Sequence, residues 1–200
     1  MDGEYQVGRV LRSSTAAFTV GCRQLIAEQD KMTPKLGALL KAKGAGERVV
    51  YGMTCNVTIE DDAFVRQLVA AGVDTAEIIE DQRQKRQVPI IVDVMIVGHG
   101  EGLKCYHRLP PQPPRTLDEI STCGNAEVVR FTQEHDWMRM ALASVDAPVD
   151  QIIVAALRLA RDARPTDDER QRYLVGAGRE LAKLLALDLA RLDGILRQLR

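Results

Sequence analysis

Arg48-Val49-Val50-Tyr51-Gly52-Met53-Thr54-Cys55-Asn56-Val57-Thr58-Ile59 is the stretch on which the fold turns. Every odd position from Val49 to Ile59 is apolar, whereas Gly52, Thr54, Asn56 and Thr58 are small or polar. Successive side chains of an extended chain point to opposite faces, so this period of two predicts a strand with one face on a core. Such a strand needs neighbours, and β-rich runs lie around it at residues 5–12, 16–23, 36–43, 88–97 and 103–109. Together they predict a small barrel of roughly six strands.

The connections fit that reading. Ser13-Ser14-Thr15 is a short polar break that suits a hairpin, with Phe18, Val20 and Cys22 on its inner face. Residues 25–32 are polar and read as a helical turn or a loop, and Gly44-Ala45-Gly46 joins the third run to the central strand. Residues 90–97 are almost continuously apolar, the pattern of a strand covered on both faces. Gly98-His99-Gly100-Glu101-Gly102 reads as the turn into residues 103–109.

Between the central strand and residue 88 the period changes. Glu60-Asp61-Asp62 offers N-terminal carboxylates to a helix carrying Phe64, Val65, Leu68 and Val69, which Gly72 ends. Asp74 and Glu77 form the start of a second helix, running through Ile78 and Ile79 to cations at its C-terminal end, where the helix dipole favours them. Pro110-Pro111-Gln112-Pro113-Pro114 fixes four φ angles and excludes both strand pairing and helix, so it marks a boundary. The fold class is α+β: a barrel over residues 1–114 with a helical insertion at about 61–87, then an all-helical region over 115–200.

In that second region Thr116 with Glu119, and Thr166 with Glu169, match the T-x-x-E capping box, and Pro148 suits a first helical turn. Val149, Ile152, Ile153, Ala156, Leu157, Ala160 and Ala163 trace one helical stripe. A last helix carries a seam through Leu174, Gly178, Leu181, Leu185, Leu189, Leu192, Leu196 and Leu199, which serves either an intramolecular bundle or an oligomeric contact.

The totals narrow the class of function. With 27 basic and 28 acidic residues the net charge is -1, which gives no general attraction to nucleic acid or anionic membrane. Four scattered cysteines without a CxxC pair read as reduced thiols of a cytosolic protein. Met1-Asp2-Gly3-Glu4 lacks the features of a signal peptide, and no apolar run has the length of a membrane span, so a cytoplasmic location is expected.

Candidate chemistry is sparse. Gly98, Gly100 and Gly102 lack the spacing and the following helix of a phosphate loop. Cys105, His107, Cys123 and His135 lack paired metal-ligand spacing, and no elbow motif exposes a thiol. No metal, no cofactor and no catalytic residue is therefore assigned. Arg83, Lys85 and Arg86 form the densest basic patch and are the candidates for nucleic-acid phosphates, set against a solvated helix end. For a protein interface the candidates are Ile91, Met95 and Val97 on one side of the 90–97 strand, with Asp93 setting register, and Leu185, Leu189, Leu192 and Leu196 of the seam.

Val7-Gly8-Arg9-Val10 in the first run, Pro34-Lys35-Leu36-Gly37 before the third, Val50-Tyr51-Gly52-Met53 in the fourth and an apolar strand near a proline-rich exit follow one order. Over residues 5–114 this order resembles the HAS barrel, the small N-terminal barrel of HerA-like DNA translocases and rotary ATP synthase subunits. The resemblance implies a non-catalytic module for ring assembly and partner docking, with a HerA-like translocase or its nuclease as partner, DNA processing or repair as context, and homo-oligomerisation. The chain departs from the translocases after the proline run: no G-x-x-x-x-G-K-[ST] string follows, so the ATP-hydrolysing domain is not expected. The sequence thus predicts an adaptor that is not an enzyme. Nucleic-acid binding through Arg83, Lys85 and Arg86 is the alternative, and an enzyme with an unrecognised site a further one.

Overall fold

A computed structural model describes residues 4–25, 33–43, 48–60, 63–72, 75–85, 87–144 and 147–199. Seven strands and seven helices are formed among them: β1 (Gln6–Ser13), β2 (Ala17–Leu25), β3 (Leu39–Lys43), β4 (Arg48–Ile59), β5 (Gln87–Glu101), β6 (Lys104–Tyr106) and β7 (Glu119–Thr122); α1 (Ala63–Ala70), α2 (Ala76–Lys85), α3 (Asn125–Phe131), α4 (Trp137–Leu142), α5 (Val149–Asp162), α6 (Asp167–Leu184) and α7 (Leu189–Leu199). The fold is α+β, as the sequence predicts.

The strands follow one another as β2-β1-β7-β3-β4-β5, and β2 pairs again with β5, closing a barrel of six strands. β6 lies outside it on the far end of β5. Two expectations are corrected here. The region after Pro114 is not all helical, because β7 inserts between β1 and β3, so the barrel extends to Thr122. Residues 103–109 do not supply a barrel strand, since only Lys104–Tyr106 is extended and it stands apart. The reason is long-range pairing: a four-residue segment with one apolar side chain is held by strands on both of its edges.

Gly98 to Gly102 is also not the predicted turn. β5 runs to Glu101, and the turn is confined to Gly102, at φ 59°, and Leu103. Gly98 serves close packing instead, since a Cβ there would stand 3.0 Å from the Phe131 ring.

The alternation in β4 has a different meaning from a half-exposed strand. Val50 packs in the lumen with Val10, Phe18, Ile90 and Ile120, whereas Tyr51 and Met53 face outward onto the helices. β4 is therefore buried on both faces from Val50 to Thr54. A register shift between Thr54 and Asn56 then turns the parity, so that Val57 packs with the lumen although Cys55 packs outside.

The helical layer covers that outer wall. α5 is the hub, packing on β4 and against α3, α4, α6 and α7. Its buried stripe of Val149, Ile152, Ile153, Ala156, Leu157 and Ala160 is the predicted one, except that Ala163 lies past the helix end as its half-buried C-cap. Gly37, at φ 73°, lets the loop before β3 lie on α5; a Cβ there would be 2.9 Å from the Ile152 carbonyl oxygen. Trp137 and Phe131 are fully buried in this shared layer, each fully buried large apolar side chain being worth about 1.5–3 kcal/mol.

The single long last helix is a further correction. The chain breaks between Leu184 and Leu189, and the Asp188 carboxylate accepts the Arg191 N–H at 3.1 Å to open α7. No helix is long and apolar enough to cross a membrane among the described residues.

Candidate functional site

The densest set of interacting charges lies where barrel and helices meet. Lys41 of β3 sits in the run Leu39–Lys43, whose other members before Lys43 are apolar, and its side chain is only 9% exposed. Its ammonium donates to Glu127 Oε2 at 2.6 Å and Glu4 Oε2 at 2.9 Å. Tyr51 of β4 donates its hydroxyl to Glu127 Oε1 at 2.8 Å, and Arg130 approaches the same oxygen at 3.5 Å. Ser121 of β7 donates to Glu4 at 3.3 Å. Four segments, β3, β4, β7 and α3, are thereby joined through two carboxylates.

The electrostatics of this cluster favour fixed charge over reactivity. Burial opposes the charge on Lys41, but the hydrogen bonds to Glu127 and Glu4 outweigh it and raise its pKa. The hydrogen bond from Lys41 holds the Glu4 carboxyl below the usual range. Burial, reinforced by Glu127, pushes the Tyr51 phenol up, and burial pushes the neighbouring Cys123 thiol well up. A lysine nucleophile needs a lowered pKa and a cysteine nucleophile a thiolate, so both shifts point away from covalent catalysis. Sequence reasoning missed this cluster; its one signal is a lysine placed inside an apolar strand.

A second polar group fixes the α5–α6 corner. The Arg164 guanidinium lies over the Tyr173 ring, 3.5 Å from its centroid, and donates to the Ala160 carbonyl and to Thr132 Oγ1 at 3.3 Å. A cation on the last carbonyls of α5 suits the helix dipole. No group of three metal-ligating side chains converges among the described residues.

The residues expected to form a protein interface are dispersed. Met95 and Val97 are 7% and 0% exposed, packed against the helical layer with Phe131 and Trp137, so they are not an open surface. The physical reason is that this half of β5 lies under α4. Ile91 is half-buried. Asp93 is committed within the barrel, accepting from Thr19 Oγ1 at 3.0 Å and Asn56 Nδ2 at 3.3 Å. Of the seam, Leu185 is buried, Leu192 packs on the core and Leu196 lies near Gly178. Leu189 is 69% exposed.

Of the basic patch, Lys85 pairs with Asp81 one turn earlier. Arg83 lies in α2, its side chain outside the described residues, as is the whole of Arg86. The predicted Asp74 helix start and residues 26–32 also lie outside them.

What stands open is the insertion that carries that patch. α1 buries none of its residues, and Val69, Ile78 and Ile79 are 75%, 42% and 38% exposed. Ile59, where β4 leads into the insertion, is exposed as well. Of the stripe predicted for α1, Phe64 and Val69 are exposed, whereas Val65 and Leu68 are half-buried. No protein-family model matches the chain, and no curated protein does.

Proposed function

We propose that the chain is a non-catalytic assembly module, a closed barrel whose inserted helices α1 and α2 serve docking. The observation that carries this reading is the open apolar side of α1 and α2, with Val69, Ile78 and Ile79 exposed. Apolar surface in water costs about 25 cal/mol per Å², and exposed apolar side chains on an inserted element suit a contact surface. The barrel supports the role because its strand edges are paired and its lumen is filled by side chains such as Phe18 and Ile90, which makes a rigid mount.

The resemblance to HAS barrels supplies the class of partner: a HerA-like translocase or its nuclease, in DNA processing. The nucleic-acid reading stands second, because Lys85 is already paired with Asp81. Co-elution of the purified chain with a purified HerA-like translocase and its nuclease tests the assembly role. Association that disappears in the Ile78→Glu/Ile79→Glu variant supports it. A chain that binds neither protein and remains monomeric at every concentration removes it.

A further inference from the structure

A cavity of about 420 Å³ opens at the end of the barrel, where β3 ends, β4 begins and β5 stops. Its floor is lumen core, Ala42 and Val50, and the chain from Arg108 to Arg115 crosses it as a strap that carries the four boundary prolines. Both ends of the strap are tied down. The Arg108 carbonyl oxygen accepts from His99 Nδ1 at 3.1 Å, and the Pro114 carbonyl oxygen accepts from the Ser13 hydroxyl at 2.6 Å. A strap with four fixed φ angles loses little freedom when a ligand binds, so this wall is preorganised.

Three guanidiniums line the cavity: Arg48 at the start of β4, and Arg108 and Arg115 on the strap. None of them has a carboxylate within ion-pair distance among the described residues, although the chain holds 28 acidic side chains and pairs Arg9, Arg191 and Arg197 elsewhere. Arg108 lies over the Tyr106 ring, 4.8 Å from its centroid. Two carboxylates share the wall. Asp118 is committed to the Arg115 N–H at 2.7 Å, and Glu101 stands opposite Arg48 in the β4–β5 register without forming an ion pair with it. The surplus is cationic, and guanidinium forks are the groups that match phosphate oxygens. The remaining wall, Leu109 and the prolines, is apolar. Small-molecule sites run from about 300 to 1,000 Å³, so this one has room for more than a bare phosphate. A nucleic-acid strand calls instead for a continuous basic groove with aromatic platforms, which a single cavity on a chain of net charge -1 does not offer.

We propose that this cavity binds a small organic phosphate, its phosphate held among Arg48, Arg108 and Arg115 and its organic part laid against Leu109 and the prolines. The site is distinct from α1 and α2 and does not rest on the assembly reading. Amide NMR spectra of the full chain titrated with phenyl phosphate test it, with inorganic phosphate, phenol and a single-stranded oligonucleotide as parallel titrants. Phenyl phosphate is expected to give saturable shifts at Arg48, His99, Gly100, Arg108 and Arg115, and to bind more tightly than inorganic phosphate, while phenol gives none. Arg48→Gln, Arg108→Gln and Arg115→Gln should each weaken phenyl phosphate by about ten-fold or more, the loss of one charge-assisted hydrogen bond. Arg172→Gln, on the exposed side of α6, should leave its affinity unchanged. The location of the wild-type shifts decides the place of binding whatever the stability of the variants. A wild type without saturable shifts, shifts confined to other residues, equal affinity for inorganic and phenyl phosphate, affinity unchanged in all three variants, or tighter binding of the oligonucleotide overturns the proposal. None of these outcomes touches association with a translocase or nuclease, so the two readings fail separately.

Discussion

Lys41 Nζ lies 2.6 Å from Glu127 Oε2, so a strand of the barrel and the first helix beyond it share one buried ion pair. Both side chains are largely removed from water, at 9% and 15% exposure. Removing one partner of a buried pair leaves the other charge uncompensated, which costs about 3–5 kcal/mol. Lys41→Met should therefore lower the urea midpoint strongly. The double variant Lys41→Met/Glu127→Gln should recover part of the loss, because no carboxylate is stranded beside Tyr51. Equal stability of the single and double variants would refute the coupling.

The same cluster sets the pH limits of stability. Lys41 has a raised folded-state pKa, so its contribution is present below about pH 10.4 and is lost as the pH climbs through the raised value. Tyr51, held protonated by burial and Glu127, acts in the same direction. Glu4 has a lowered pKa, so its contribution is present above about pH 4.3 and is lost as the pH falls through the lowered value; its side chain is 43% exposed, which makes this limb shallow. Urea midpoints should be level only between about pH 6.5, below which burial of the His107 imidazole opposes its protonation, and about pH 8.5, above which burial of the Cys123 thiol opposes its ionisation. The alkaline fall should be smaller in Lys41→Met than in the wild type.

Gly52 faces the lumen, where an added Cβ would run into Val94 and stand 2.9 Å from the Met95 carbonyl oxygen and 3.1 Å from the Phe18 ring. Overpacking of a filled core costs about 1–3 kcal/mol, and Gly52→Ala should show a loss in that range by thermal melting. Gly124→Ala, where an added Cβ meets nothing within 4 Å, should stay close to the wild type.

These sites differ in how far the sequence discloses them. The apolar alternation in Val49 to Ile59 and the stripe from Val149 to Ala160 declare strand and helix, because the period alone is sufficient. Which side is solvent is a tertiary fact. The same alternation in β4 turns out to be buried on both faces, and the stripe of α1 on neither. Glu119–Thr122 is invisible as a strand because its stability comes from β1 and β3, over a hundred and nearly eighty residues away in sequence. Lys41 is invisible as a site because its acidic partners come from Glu4 and Glu127.

Two copies of one motif make the point testable. Thr166 and Glu169 form the reciprocal cap of α6, with the Thr166 hydroxyl accepting the Glu169 N–H at 3.3 Å. Thr116 and Glu119 have the same spacing, yet Glu119 begins β7. Thr166→Ala should cost about 0.5–2 kcal/mol, as cap removal does. Thr116→Ala should fall within about 0.5 kcal/mol of the wild type. Equal losses in chemical denaturation would mean that the T-x-x-E spacing itself, and not the helix start, carries the stability.

The leucine seam divides at the break between α6 and α7. Leu185, just past α6, is 6% exposed and belongs to the core with Trp137 and Leu157, whereas Leu189 begins α7 with most of its surface in water. Truncating a buried leucine costs about 2–5 kcal/mol through lost transfer energy and the cavity left behind. Leu185→Ala should therefore destabilise the isolated chain by that amount, and Leu189→Ala by less than about 0.5 kcal/mol. The pair also separates intramolecular packing from association. If the seam were an oligomeric contact through Leu189, its alanine variant would lower the melting temperature in a manner that depends on protein concentration, because dissociation would then be linked to unfolding. The exposed position of Leu189 and the burial of Leu185 predict that only Leu185→Ala shifts the melt, and that Leu189→Ala leaves its concentration dependence as in the wild type.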